Sequence, residues 1–188
     1  MLALPDLDPL MVATASGLIA LVFARAAYHK AANFLEFTGT LADYRIVPEA
    51  LIATVTSALI VIEVFVAGGI LWSGLRPVAA MTGAAVLVTY ALAMMVPMSQ
   101  GRTEISCGCG GAAEQISPAL LWRNAALAGI ALVAALPILD RPLGWFDYLA
   151  IPLGVATAWL ILEAVEQTLQ TASYIRALKS QTANNKEV

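Results

Sequence analysis

Long apolar runs separated by short polar intervals make up almost the whole chain. Five runs stand out, at about 10–30, 48–72, 78–98, 117–136 and 146–169. A membrane-crossing helix needs roughly 20 apolar residues, each rising about 1.5 Å, to traverse about 30 Å of hydrocarbon. The runs do not alternate apolar and polar residues as the strands of a membrane barrel would. Helix starts are marked by Pro48 and by Ser117-Pro118, where a hydroxyl at the N-cap and a proline in the first turn favour initiation. Small residues recur inside the runs (Gly17, Gly68, Gly69, Gly83), as where helix backbones approach closely in lipid. The pattern predicts an all-α protein: one polytopic transmembrane bundle, a four-helix core plus a fifth span. A polar tail, 170–188, follows.

Composition sharpens this into a membrane assignment. The chain is 60% hydrophobic and 12% charged, with mean hydropathy +0.81. Soluble domains carry about 25% charged residues, so the lipid bilayer is the expected surrounding. A net charge of −3 without a basic patch excludes a nucleic-acid partner. No Lys or Arg precedes Arg25, so the first run is expected to be retained rather than cleaved as a signal peptide.

Five spans put the chain ends on opposite sides. One side holds the connection between spans one and two, the polar interval 99–117 and the tail. Of the ten Lys and Arg, eight fall on that side and only Arg76 and Arg141 on the other. The positive-inside rule would make the eight-charge side cytoplasmic. A disulfide on that side would favour the opposite orientation.

That interval holds the chemistry. Both cysteines lie in Ser106-Cys107-Gly108-Cys109-Gly110-Gly111. A C-x-C pair closes only as a small constrained ring, and strained disulfides are the oxidising, labile ones. Gly108 and Gly110 supply backbone freedom. Arg102, Arg123 and the N-terminus of the helix after Ser117 are placed to favour a thiolate. The competing readings are a static disulfide, which would remove little chain entropy across so short a loop, and a metal site. One histidine and two cysteines fall short of structural zinc's four ligands, so no metal is expected.

Glu63, deep in the second run, costs at least ~2.5 kcal/mol in hydrocarbon and needs a partner or a proton. Arg25, Lys30 and Arg123 are the candidate partners. Glu63 reads equally well as a functional acid or as a structural tie between helices. Glu163 is similar but nearer a helix end. Arg25, Tyr28, His29 and Lys30 cluster at the end of the first run and, with Arg123, suit the carbonyl oxygens of a quinone. The plain alternative is an interfacial belt with snorkelling bases. The four tryptophans read mostly as interfacial anchors.

The combined pattern resembles a known family. Ala27-Tyr28-His29-Lys30, Phe34 and Phe37, Tyr44-Arg45-Ile46-Val47-Pro48, an intramembrane Glu63, Cys107-Gly108-Cys109-Gly110-Gly111 and Leu121-Trp122-Arg123-Asn124 resemble the MauE family of methylamine utilisation proteins, related to the DoxX-like group. The resemblance implies maturation of methylamine dehydrogenase, whose small subunit carries tryptophan tryptophylquinone and many disulfides. It implies a MauD-like thioredoxin-fold partner and the bacterial inner membrane, with the cysteines and C-terminus periplasmic. The arrangement is similar to DsbB and the vitamin K epoxide reductase group, but with C-x-C for C-x-x-C and no second cysteine pair. The expected function is a quinone-linked thiol–disulfide oxidoreductase with Cys107 and Cys109 as the exchanging pair. The alternative is a non-enzymatic anchor holding the thioredoxin-like partner and the dehydrogenase small-subunit precursor together. A proton-coupled transporter using Glu63 ranks last.

Overall fold

The structure is a computed structural model that describes residues 6–102 and 116–184. Cys107, Gly108, Cys109 and Gly110 lie outside the described residues. Six α-helices occur among those described: α1 (Pro9–Ala32), α2 (Phe34–Tyr44), α3 (Ile52–Gly69), α4 (Arg76–Ser99), α5 (Pro118–Ala135) and α6 (Trp145–Asn184). A short 3-10 turn, Glu49–Leu51, leads into α3. Five helical stretches are long and apolar enough to cross a membrane: Pro9–Ala32, Glu49–Gly69, Arg76–Ser99, Pro118–Ala135 and Trp145–Leu169.

Local chemistry sets these boundaries. Pro9 opens α1, and the Asp8 carboxylate accepts from the Leu10 N–H at 2.8 Å, satisfying a free helix-end donor. Pro118 opens α5 in the same way; Ser117 holds the N-cap position, but its hydroxyl makes no capping bond. At the end of α4, Gly101 takes φ +72°. The Gly101 N–H donates to Met98 O at 3.0 Å and the Arg102 N–H to Pro97 O at 3.0 Å. This glycine-stopped double turn releases the chain toward the cysteine interval.

The helix α2 is the element not anticipated from the apolar runs. Residues 31–47 read as a connection, yet Phe34, Phe37, Leu41 and Tyr44 recur at helical spacing and form an amphipathic helix. It packs against α1, α3 and α4. Arg45 ends it in the left-handed conformation, φ 55°.

The core lies where α1, α3, α4 and α5 meet, around Ile19, Phe23, Val66, Ile70, Leu87 and Leu127. Gly83 makes the approach possible: a Cβ there would sit 3.0 Å from Val66 Cγ1 and 3.3 Å from Phe23. None of the most apolar stretch of α6 is buried, and α6 leans on α1. The arrangement is therefore four central helices with a fifth span outside. At about 1.5 Å per residue, the 40 residues of α6 extend about 60 Å, well beyond the hydrocarbon.

One end of the bundle is tied by polar bonds. The Leu7 N–H donates to Pro137 O at 3.0 Å, and the Leu139 N–H to Leu7 O at 2.8 Å. Arg76 Nη1 donates to the carbonyls of Ala134 (2.7 Å) and Leu136 (3.0 Å), capping the end of α5. Arg141 binds Asp8 at 2.9 Å and Asp147 at 2.8 Å. The opposite end carries α2, the start of α3, and the Arg102 and Ile116 flanks of the cysteine interval.

Candidate functional site

The charged residues inside the bundle resolve into two groups. In the first, Lys30 Nζ lies 2.7 Å from Glu63 Oε1, with the side chains 2% and 0% exposed. The Tyr90 hydroxyl donates to the same oxygen at 2.6 Å. The Lys30 ammonium also faces the rings of Phe37 and Tyr90, 5.1 and 5.3 Å from their centroids. The second Glu63 oxygen, Oε2, has no hydrogen-bond partner among the described residues. Of the three candidate partners for Glu63, the structure selects Lys30: as the last buried residue of α1, it faces the bundle where α3 passes.

The second group joins α1 and α5 to α6. Arg123 donates to Glu166 Oε1 at 2.7 Å, and Arg25 lies 3.6 Å from Glu166 Oε2. Arg25 also pairs with Glu163 and stacks over Trp159, 5.5 Å from its ring centroid. Glu163 is therefore half-buried and paired, and Trp159 packs on a cation in mid-helix rather than marking a helix end. In these two groups three cations meet three carboxylates, which offsets the cost of charge in hydrocarbon.

The group read from the sequence as a quinone-binding cluster is thus divided. Arg25 and Arg123 converge on Glu166, Lys30 turns to Glu63, and His29 lies half-buried with its ring edge-on to Tyr28 at 5.9 Å. Tyr90 and Glu166 are the members that sequence reasoning missed. Glu166 follows Glu163 at i+3, a same-face spacing, whereas Tyr90 carries no signal in an apolar run.

Beside the first group is a cavity of about 190 Å³. Lys30, Phe37, Tyr44, Leu59, Tyr90 and Met94 form its walls, with α2 as the roof. Tyr44 and Met94 pack in turn against Ile116 and Leu120. Arg102 Nη1 donates to the carbonyl of Asp43 in α2 at 2.8 Å. Both described flanks of the cysteine interval therefore rest against the element that roofs the cavity.

Bundle and site together define a polytopic helical membrane protein with neutralised charge groups inside the membrane. A family model described as "Methylamine utilisation protein MauE" matches residues 8–137. The chain belongs to this family, which acts in methylamine utilisation. It is 35% identical to the methylamine utilization protein MauE of Paracoccus denitrificans over 62% of this chain and 64% of that one. The matched part thus spans just under two thirds of that relative. Identity to the proteins of the same name from Methylophilus methylotrophus and Paracoccus versutus is 36% and 37%, covering 70% and 74% of this chain and 71% and 77% of theirs. No solved structure matches.

Proposed function

We propose that this protein is an inner-membrane thiol–disulfide oxidoreductase that supports disulfide formation in the methylamine dehydrogenase small subunit. The observation that carries the reading is the Cys107-Gly108-Cys109-Gly110-Gly111 run, the only cysteines of the chain, set between two membrane spans. A Cys107–Cys109 disulfide accepts a thiolate of a MauD-like thioredoxin-fold partner, forming a mixed disulfide. The partner's second thiol resolves it, leaving the partner oxidised and Cys107 and Cys109 reduced. Re-oxidation removes two electrons and two protons, which a membrane quinone can take up. Exchange with an exported client requires the cysteine side to face the periplasm. Internal pairing of Arg25, Lys30 and Arg123 reduces the charge count against that orientation to five against two.

The test is trapping. A Cys109→Ser variant, which retains one thiol, is expected to form a mixed disulfide when its Cys107 thiolate attacks the disulfide of the oxidised thioredoxin-fold partner, and to leave the reduced partner unoxidised. Normal partner oxidation in that variant would overturn the reading. A cysteine pair whose alkylation state never changes, with or without quinone, would favour the anchor role.

A further inference from the structure

We propose that the cavity beneath α2 seats the ring of a lipid-dissolved quinone, with the Lys30 ammonium donating a hydrogen bond to a ring carbonyl. This rests on the redox reading above, which requires a two-electron, two-proton acceptor: the dithiol becomes a disulfide as the quinone becomes a quinol.

Four observations define the occupant. The first is size. At about 190 Å³, the space suits one substituted ring, since an apolar cavity of about 150 Å³ is enough to hold benzene. The second is chemistry: Phe37, Tyr44 and Tyr90 line the cavity, and aromatic walls suit a planar aromatic-sized guest. The third is hydrogen bonding. Lys30 is 2% exposed and lines the cavity, and Glu63 is the one oxygen partner it makes among the described residues. An ammonium carries three donors, so a buried acceptor on the guest would be matched. The fourth is charge. Lys30 and Glu63 neutralise each other, so a neutral carbonyl is favoured over a phosphate headgroup.

The route in is from the hydrocarbon. The cavity is also lined by Val55 of α3 and by Thr89 and Ala93 of α4, and we take this α3–α4 side as its rim. Thr89 is exposed, and the adjoining outer face of α4 carries Val88 and Leu92, both exposed apolar side chains. A tail can lie between α3 and α4 while the ring sits under α2. Tyr44 and Met94 of the cavity wall pack against Ile116, which follows Cys109 by seven residues in the chain. This site differs from the His29–Arg123 cluster suggested by sequence, whose arginines are engaged with Glu163 and Glu166.

The experiment uses the full chain in proteoliposomes and a photoreactive azido-ubiquinone, competed by decylubiquinone. Adducts are expected on peptides containing Tyr44 or Tyr90. Ala93→Phe, which fills the rim, is expected to lower labelling at least tenfold while the melting temperature holds. Lys30→Met is expected to lower it about tenfold, as loss of a charged hydrogen bond implies; Val55→Phe supplies a second rim-filling variant should Lys30→Met not fold. Labelling is expected to survive replacement of both cysteines by Ser, so loss of thiol exchange and loss of quinone binding are separable. Labelling unaffected by both rim fillings, adducts around Arg25 and Arg123, or competition by phospholipid but not by decylubiquinone would each overturn the proposal.

Discussion

Lys30 Nζ and Glu63 Oε1 lie 2.7 Å apart with both side chains out of reach of water, and they join the last turn of α1 to the middle of α3. Removing one partner strands a buried charge, which costs about 3–5 kcal/mol, whereas replacing both with apolar side chains is often neutral. We therefore expect Lys30→Met to be much less stable than the Lys30→Met/Glu63→Leu double variant. Tyr90→Phe, which removes one bond to a charged acceptor, is expected to cost about 1.5–3 kcal/mol. Thermal unfolding in detergent, run as a double-mutant cycle, checks all three. A double variant destabilised by the sum of the separate Lys30→Met and Glu63→Leu losses would mean the pair carries no coupling.

Gly83 is the second point of test. Its absent Cβ would lie 3.0 Å from Val66 and 3.3 Å from Phe23, the side chains that join α1 and α3 to α4. Gly83→Val forces extra carbons into a close-packed junction, and overpacking costs about 1–3 kcal/mol. Gly68→Val, where an added Cβ meets nothing within 4 Å, is the control and is expected to change little. Denaturation of the two variants side by side decides it.

These two sites show what was legible in the chain. The five spans could be read directly, because crossing hydrocarbon imposes length and apolarity on contiguous residues. Glu63 was legible as needing a partner for the same reason. Which of Arg25, Lys30 and Arg123 supplies it depends on the rotation of α1 about its axis, and that is fixed by packing of Ile19 and Phe23, not by spacing. The helix α2 was missed because its apolar stripe is short and lies among polar residues, so a search for span-length runs passes over it. The cavity followed α2 out of view, since its roof exists only once Phe37 and Tyr44 fold over Lys30.

The outer helix supplies a third prediction. Glu166 is shared by Arg25 and Arg123, and it is through these pairs that α6 meets α1 and α5 near the cysteine-interval end. Glu166→Ala removes the shared acceptor while leaving the four-helix core in place. We expect faster proteolysis of α6 with only a small change in the unfolding of the remainder. The charge swap Arg123→Glu/Glu166→Arg is expected to recover part of the protection. Uniform destabilisation of the whole bundle would show instead that α6 belongs to the core.

The far end of the bundle supplies a pH test. The Asp8 carboxyl is held below the ordinary carboxylate value, chiefly by hydrogen bonds from Arg141 and then by the Leu10 N–H. A lowered folded-state pKa means its stabilisation is fully present above the unfolded value, about 3.9, and is lost as pH falls through the lower folded value. The clamp of Asp8, Arg141 and Asp147 is partly exposed, so salt screens it in part. We expect the N-terminal segment, which pairs with Pro137 and Leu139 through Leu7, to gain hydrogen exchange below about pH 4 and at high ionic strength. Asp8→Asn is expected to show that faster exchange already at neutral pH and to respond little to further acid. An Asp8→Asn profile that still follows the wild-type acid response would assign the pH dependence to another group.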